Sequence, residues 1–261
     1  MKSLVKHWTT METSIAAISQ IQDFVETTPQ ESPSRNGSTG FKPEIDANGG
    51  MALTLTHVSA KYSVNGSNVL SDLSLNIAPG EKVVICGRSG SGKSSFLNVL
   101  LKMIHITGDL HIGHQPSSSF GNQELRHNLN TIPQDPYFFP GIIRKNLDPD
   151  SSSSDEAIDA LINRVGLENE IAKCGGLEGE LAIESFSAGQ LQLLSLARGV
   201  LNPRGLLLLD EATSRNSVDY ETDKKMHDMI FEDFADQTVI CIAEMNYIAL
   251  IVWWWWIKGG L

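Results

Sequence analysis

The sequence predicts an α/β fold with a mostly parallel core sheet, an antiparallel β annex at its start and a helical subdomain, and three observations predict it. Residues 82–86, 205–209 and 238–243 form short apolar runs bounded by charges or turn residues, as expected of strands buried on both faces of a parallel sheet. Helical periodicity fills the intervals, at 94–103, 155–165, 188–200 and 221–234. Two β-rich runs, 53–62 and 69–77, come first and are separated by Asn65-Gly66, a dipeptide suited to a hairpin turn.

Ahead of these strands, Leu4, Trp8, Met11, Ile15, Ile18 and Val25 recur every three or four residues, predicting an amphipathic helix over 1–28 that Pro29 stops. Residues 29–52 are dominated by Pro, Gly, Ser and Asn, show no period and read as a flexible linker. The domain is expected from residue 53 onward. The serine tract 151–154 reads as a solvated loop, and no internal repeat is apparent.

Composition narrows the function. With 20 Lys+Arg against 31 Asp+Glu among 261 residues, the net charge is −11, the wrong sign for a nucleic-acid groove. Cys86, Cys174 and Cys241 are far apart and lie in no zinc-ligand spacing, which argues against a disulfide framework or a zinc site and for a reducing compartment. The first twenty residues interleave polar and apolar types, unlike a signal peptide.

Chemistry is concentrated at the end of the run 82–86. Gly87, Arg88, Ser89, Gly90, Ser91, Gly92, Lys93 and Ser94 fit G-x-x-x-x-G-K-[ST] between a predicted strand and a predicted helix. Glycines there allow backbone N–H groups to converge on phosphate, with the helix N-terminus behind them. Lys93 is expected to reach the β/γ-phosphates and Ser94 to ligate Mg²⁺, with Ser95 beside it. The run 206–209 ends in Asp210-Glu211: Asp210 is the expected Mg²⁺ ligand through water, and Glu211 the general base for the attacking water. Taken alone, that pair is an ordinary charged strand exit. Next to a glycine loop on a parallel sheet it lies where ligands bind.

Ser187, Ala188, Gly189 and Gln190 open the helix predicted at 188–200, with the S-x-x-Q spacing of a capping box. Preceded by Phe186 and standing just upstream of the Asp-Glu strand, this segment closely resembles the signature of the nucleotide-binding domain of ABC transporters. The resemblance implies a P-loop NTPase fold of ABC type, binding of ATP with Mg²⁺, and ATPase activity with Lys93, Gln134 and Glu211 as catalytic residues. It also implies a head-to-tail dimer with a second nucleotide-binding domain, in which Ser187, Ala188, Gly189 and Gln190 face the γ-phosphate held by the other domain. By the same resemblance Tyr62 stacks on adenine, and Gln134 contacts Mg²⁺ and the attacking water and links the site to the membrane domains. Residues 138–149 resemble the C subfamily, the multidrug-resistance-associated exporters, in particular the C-terminal half of a fungal-type member. Residues 8–14 resemble the end of that exporter's last membrane helix, which implies a domain on the cytoplasmic face of a membrane, partnered by transmembrane domains and not by nucleic acid.

Departures from the family pattern are local. Arg215-Asn216 looks inserted in the loop after Glu211, and Glu244 stands where the family has a histidine facing the γ-phosphate. A carboxylate there repels phosphate, so an ATP-binding but non-hydrolysing or regulatory module is the alternative reading. Family-like sequence extends to about residue 243, followed by a divergent tail, 244–261, in place of the expected last strands and helices. Trp253, Trp254, Trp255 and Trp256 are consecutive, and the apolar stretch around them is too short to span a bilayer.

Overall fold

A computed structural model describes residues 2–28, 45–47, 49–119, 121–210 and 220–244. The chain divides into two units, Met1–Asn36 and Gly37–Leu261. The first contains α1 (Lys2–Thr27), whose Trp8, Met11, Ile15, Ile18, Ile21, Phe24 and Val25 are all more than half exposed. The steps of three and four from Trp8 to Ile18 keep those four on one stripe of the helix. Among the described residues no helix is long and apolar enough to cross a membrane.

In the second unit β1 (Leu53–Lys61) pairs antiparallel with β2 (Leu70–Ile77). They are joined by the loop 62–69, in which the turn expected at Asn65-Gly66 is closed by the Gly66 amide on the Ser63 carbonyl, 3.0 Å. Next come β3 (Lys82–Gly87), α2 (Lys93–Leu100), β4 (His105–Ile112) and the short β5 (Gln115–Pro116). The annex is therefore a four-stranded sheet ordered β2-β1-β4-β5, wider than the two strands expected.

α3 (Asn122–His127), β6 (Leu129–Ile132) and α4 (Ile143–Leu147) lead into the helical subdomain, which comprises α5 (Asp155–Val165), α6 (Glu168–Lys173) and α7 (Ala188–Leu201). The last serine of the tract 151–154 is more than solvated loop, because Ser154 caps α5 by accepting from the Ala157 amide at 3.3 Å. Gly166, at φ 73°, ends that helix in the left-handed conformation glycine adopts without strain.

β7 (Leu206–Asp210), α8 (Tyr220–Glu232) and β8 (Thr238–Glu244) complete the described elements. The second sheet, ordered β3-β8-β7-β6, is parallel throughout. Alternation assigns its two faces. Leu206, Leu208, Ile240 and Ile242 pack with Phe96, Leu97 and Leu100 of α2 and with the annex. Leu207, Leu209, Val239 and Cys241 pack with Leu193 and Leu196 of α7, Ile158 of α5 and Phe234.

Ahead of β1, Gly50, Met51 and Ala52 are already buried. Residues 29–44 of the predicted linker lie outside the described residues, as do Glu211, Arg215-Asn216 and the tail 245–261 with its tryptophans.

Candidate nucleotide site

β3 runs directly into the glycine loop. Within the loop Gly90 and Gly92 hold φ 78° and 93°, the left-handed backbone that L side chains rarely adopt, and a methyl group on Gly92 would also press on the Val69 carbonyl at 3.3 Å. Gly92 caps α2 at φ 93°, and the Phe96 amide bonds its carbonyl at 2.9 Å. Lys93 is nearly buried; its ammonium donates to the Gly87 carbonyl at 2.9 Å and to the Arg88 carbonyl at 3.2 Å. Beside it is a cavity of about 320 Å³ lined by Val69, Ser89, Gly90, Gly92, Lys93, Ser94 and Ser95.

Tyr62 and the helix after the loop are brought together across the sequence. The phenol Oη lies 3.0 Å from Ser95 Oγ and accepts from Asn98 Nδ2 at 3.4 Å, while the residue as a whole remains exposed. A hydroxyl tether with a solvent-facing ring gives an aromatic platform at the loop's edge.

Parallel register sets the acidic side of the site. Leu209 lies opposite both Ile132 and Cys241, and Cys241 lies opposite Val84. Consequently Gly87, Asp210 and the loop after Ile132 leave the sheet at one edge, the carboxyl edge. Burial raises the Asp210 carboxyl above the usual carboxylate range, and the nearby Lys93 ammonium pulls it back down. Burial also raises the Cys86 thiol, again against the pull of Lys93. Gly87 is in register with Glu244 of β8.

Gln134 is exposed in that loop, and its carbonyl accepts from Gln192 Nε2 at 3.3 Å. Ser187 caps α7 as the spacing predicted: its Oγ accepts from the Gln190 amide at 3.2 Å, and Gln190 Oε1 accepts from the Ser187 amide at 2.8 Å. Ala188 and Gly189 follow in the first turn, where unpaired N–H groups and the helix dipole favour an anion. α7 itself packs on β6, α4, α5 and α8. Glu211, the expected base, lies outside the described residues.

The residues present fit a magnesium nucleotide. A loop whose Gly90 and Gly92 take positive φ turns main-chain N–H groups to one side, which suits phosphate. Ser94, Gln134 and Asp210 offer hydroxyl, amide and carboxylate oxygens, a hard donor set appropriate to Mg²⁺. Val69 and Asn98 were not legible as site residues, since one reads as strand and the other as helix surface.

Comparison with known proteins agrees with this geometry. The family model described as "ABC transporter" matches residues 70–214. "ABC transporter gloK" of Glarea lozoyensis is 40% identical over 259 residues, covering 97% of this chain and 19% of the relative. "ABC transporter ecdL" of Aspergillus rugulosus is 38% identical over 247 residues, covering 93% of this chain and 16% of the relative. The "Oligomycin resistance ATP-dependent permease YOR1" of Saccharomyces cerevisiae is 40% identical over 210 residues, covering 70% and 14% respectively. The chain thus spans less than a fifth of the length of these relatives.

Proposed function

Because the chain belongs to the ABC transporter family and is homologous to fungal ABC transporters, we propose that it binds and hydrolyses ATP to drive export of a substrate by a C-subfamily transporter. The observation that carries this reading is the Lys93 ammonium, held in a glycine loop beside Asp210 at the carboxyl edge of a parallel sheet.

In this reading Gly87, Arg88, Ser89, Gly90, Ser91 and Gly92 wrap the phosphates, Lys93 moves from the loop carbonyls to the β/γ oxygens, and Tyr62 stacks on the base. Ser94, Gln134 and Asp210 hold Mg²⁺, which when bound neutralises charge building on the phosphates. Glu211 takes the proton of the attacking water. Ser187, Ala188, Gly189 and Gln190 serve the nucleotide of a second, head-to-tail domain, where the helix N-terminus stabilises the γ-phosphate. Closure of the two domains on ATP and their release after hydrolysis move transmembrane domains, with this domain at the cytoplasmic membrane face. The residue 1–28 helix is read as the end of a membrane-domain helix, 29–52 as its linker and 53–261 as the nucleotide-binding domain. The binding-only alternative rests on Glu244 and on the divergent sequence after it, and the family match does not favour it.

ATP titration in the presence of Mg²⁺ tests the proposal. Saturable binding by the chain, lost by at least about a hundredfold in Lys93→Ala, is the expected outcome; equal affinity of the two proteins rejects it.

A further inference from the structure

Gln192 carries a buried amide that packing does not explain. It is 1% exposed, its Nε2 donates to the Gln134 carbonyl at 3.3 Å, and its Oε1 is buried with no hydrogen-bond partner among the described residues. An apolar side chain of the same length would fill the site without leaving an acceptor unpaired, and such an acceptor is costly. What the amide supplies is its single bond to the chain at residue 134.

That bond is one of five that three residues, Gln192 and Arg198 of α7 and its C-cap Asn202, make to the segment 134–147. The Arg198 guanidinium donates to the Tyr137 carbonyl from both terminal nitrogens at 3.3 Å and to the Asn146 carbonyl at 2.7 Å, and it stacks 4.7 Å over the Phe138 ring. Asn202 Nδ2 donates to the Leu147 carbonyl at 3.2 Å. Arg198 and Asn202 fasten the far part of the segment. Gln192 bonds the near end at Gln134, and it lies within the first two turns of α7, whose capping box is Ser187 and Gln190.

We propose that Gln192 is a positioning residue: it sets the backbone at Gln134 for the magnesium nucleotide and makes that setting depend on where the N-terminal turn of α7 lies. The inference rests on the reading of Gln134 as a residue that contacts Mg²⁺. A shift of the 187–190 turn on engaging a nucleotide then reaches Gln134 through one hydrogen bond, with no contact between Gln192 and the nucleotide itself.

The experiment measures ATP affinity of the full chain in MgCl₂ and in EDTA, for wild type, Gln134→Ala, Gln192→Met and the double variant, with thermal melting of each. Gln192→Met is expected to lower the magnesium-to-EDTA affinity ratio by about three- to tenfold. It should leave ATP affinity in EDTA unchanged and melt at or above wild type, because the unpaired acceptor is gone. Gln134→Ala should lower the ratio comparably and the double variant no further, the mark of two residues acting as one unit. If Gln134→Ala leaves the ratio unchanged, the reading of Gln134 fails and the inference with it. If Gln134→Ala lowers the ratio while Gln192→Met does not, if the two effects add, or if Gln192→Met weakens both affinities equally and melts lower, the inference alone is overturned.

Discussion

The hydroxyl of Thr238 donates to the carbonyl of Met51 at 2.8 Å and accepts from the amide of the same residue at 3.1 Å. It also accepts from the Gly80 amide at 2.9 Å, so its donor and both lone pairs are engaged. A single fully buried side chain thus joins the approach to β1, the turn before β3 and the first residue of β8. Thr238→Val keeps the shape and strands two amides, with an expected loss of about 2–4 kcal/mol in denaturant-unfolding free energy. Thr238→Ser should recover most of it; a valine variant as stable as wild type would refute this role.

Tyr62 separates ring from hydroxyl. If the ring is the adenine platform, Tyr62→Ala weakens ATP binding by about 1–3 kcal/mol, the usual worth of a base stacked on an aromatic ring. Tyr62→Phe, which loses only the bonds to Ser95 and Asn98, stays near wild type. Equilibrium titration of both variants checks this, and a larger loss in the phenylalanine protein would transfer the role to the hydroxyl.

Asp210 makes stability depend on pH in a stated direction. Its carboxyl is raised by burial, partly offset by Lys93, so the folded chain holds this proton more tightly than the unfolded chain does. The associated stability is full below the unfolded value, near the ordinary aspartate range, and is lost as pH rises through the raised folded value. Asp210→Asn should flatten that part of the profile and melt higher than wild type at neutral pH. It should also gain less stability from Mg²⁺ with ATP. Melting curves from acid to neutral pH, with and without magnesium nucleotide, provide the measurement, and an asparagine variant with an unchanged profile contradicts it.

Among the cysteines, Cys241 is pushed up to about 12, first by burial and then by its neighbours Cys86 and Asp210. Alkylation proceeds through the thiolate. At mildly alkaline pH iodoacetamide should therefore modify exposed Cys86 ahead of Cys241, which reacts only after unfolding. Peptide mass mapping before and after denaturant reads this directly.

What could be read in advance was whatever is encoded locally. The spacing from Gly87 to Ser94 is a contiguous motif, the leucines 206–209 between a turn and Asp210 read as a strand and are one, and Ser187 with Gln190 forms the capping box that its spacing allows. β4 was not legible. Its sequence HITGDLHI interrupts the apolar pattern with Gly108, which adopts φ 90° where a methyl group would lie 2.3 Å from the His57 carbonyl. His57 itself has a positive φ, and the register of β1 against β4 slips between Thr56 and Ser59. Strands of this kind are specified by the partner across the ladder rather than by their own pattern. Gln192, Arg198 and Asn202 were hidden for a related reason: they bond backbone carbonyls, and a carbonyl has no residue type to read.

The two carbonyls that hold Lys93 also bear on the energetics of association. Its ammonium already has acceptors at Gly87 and Arg88, so an incoming phosphate displaces existing bonds instead of meeting an idle charge. The enthalpy gained is the difference between two sets of charge-assisted bonds. Selectivity then follows from geometry, because an anion that cannot reach the lysine and the loop amides together offers less than the loop's own carbonyls do.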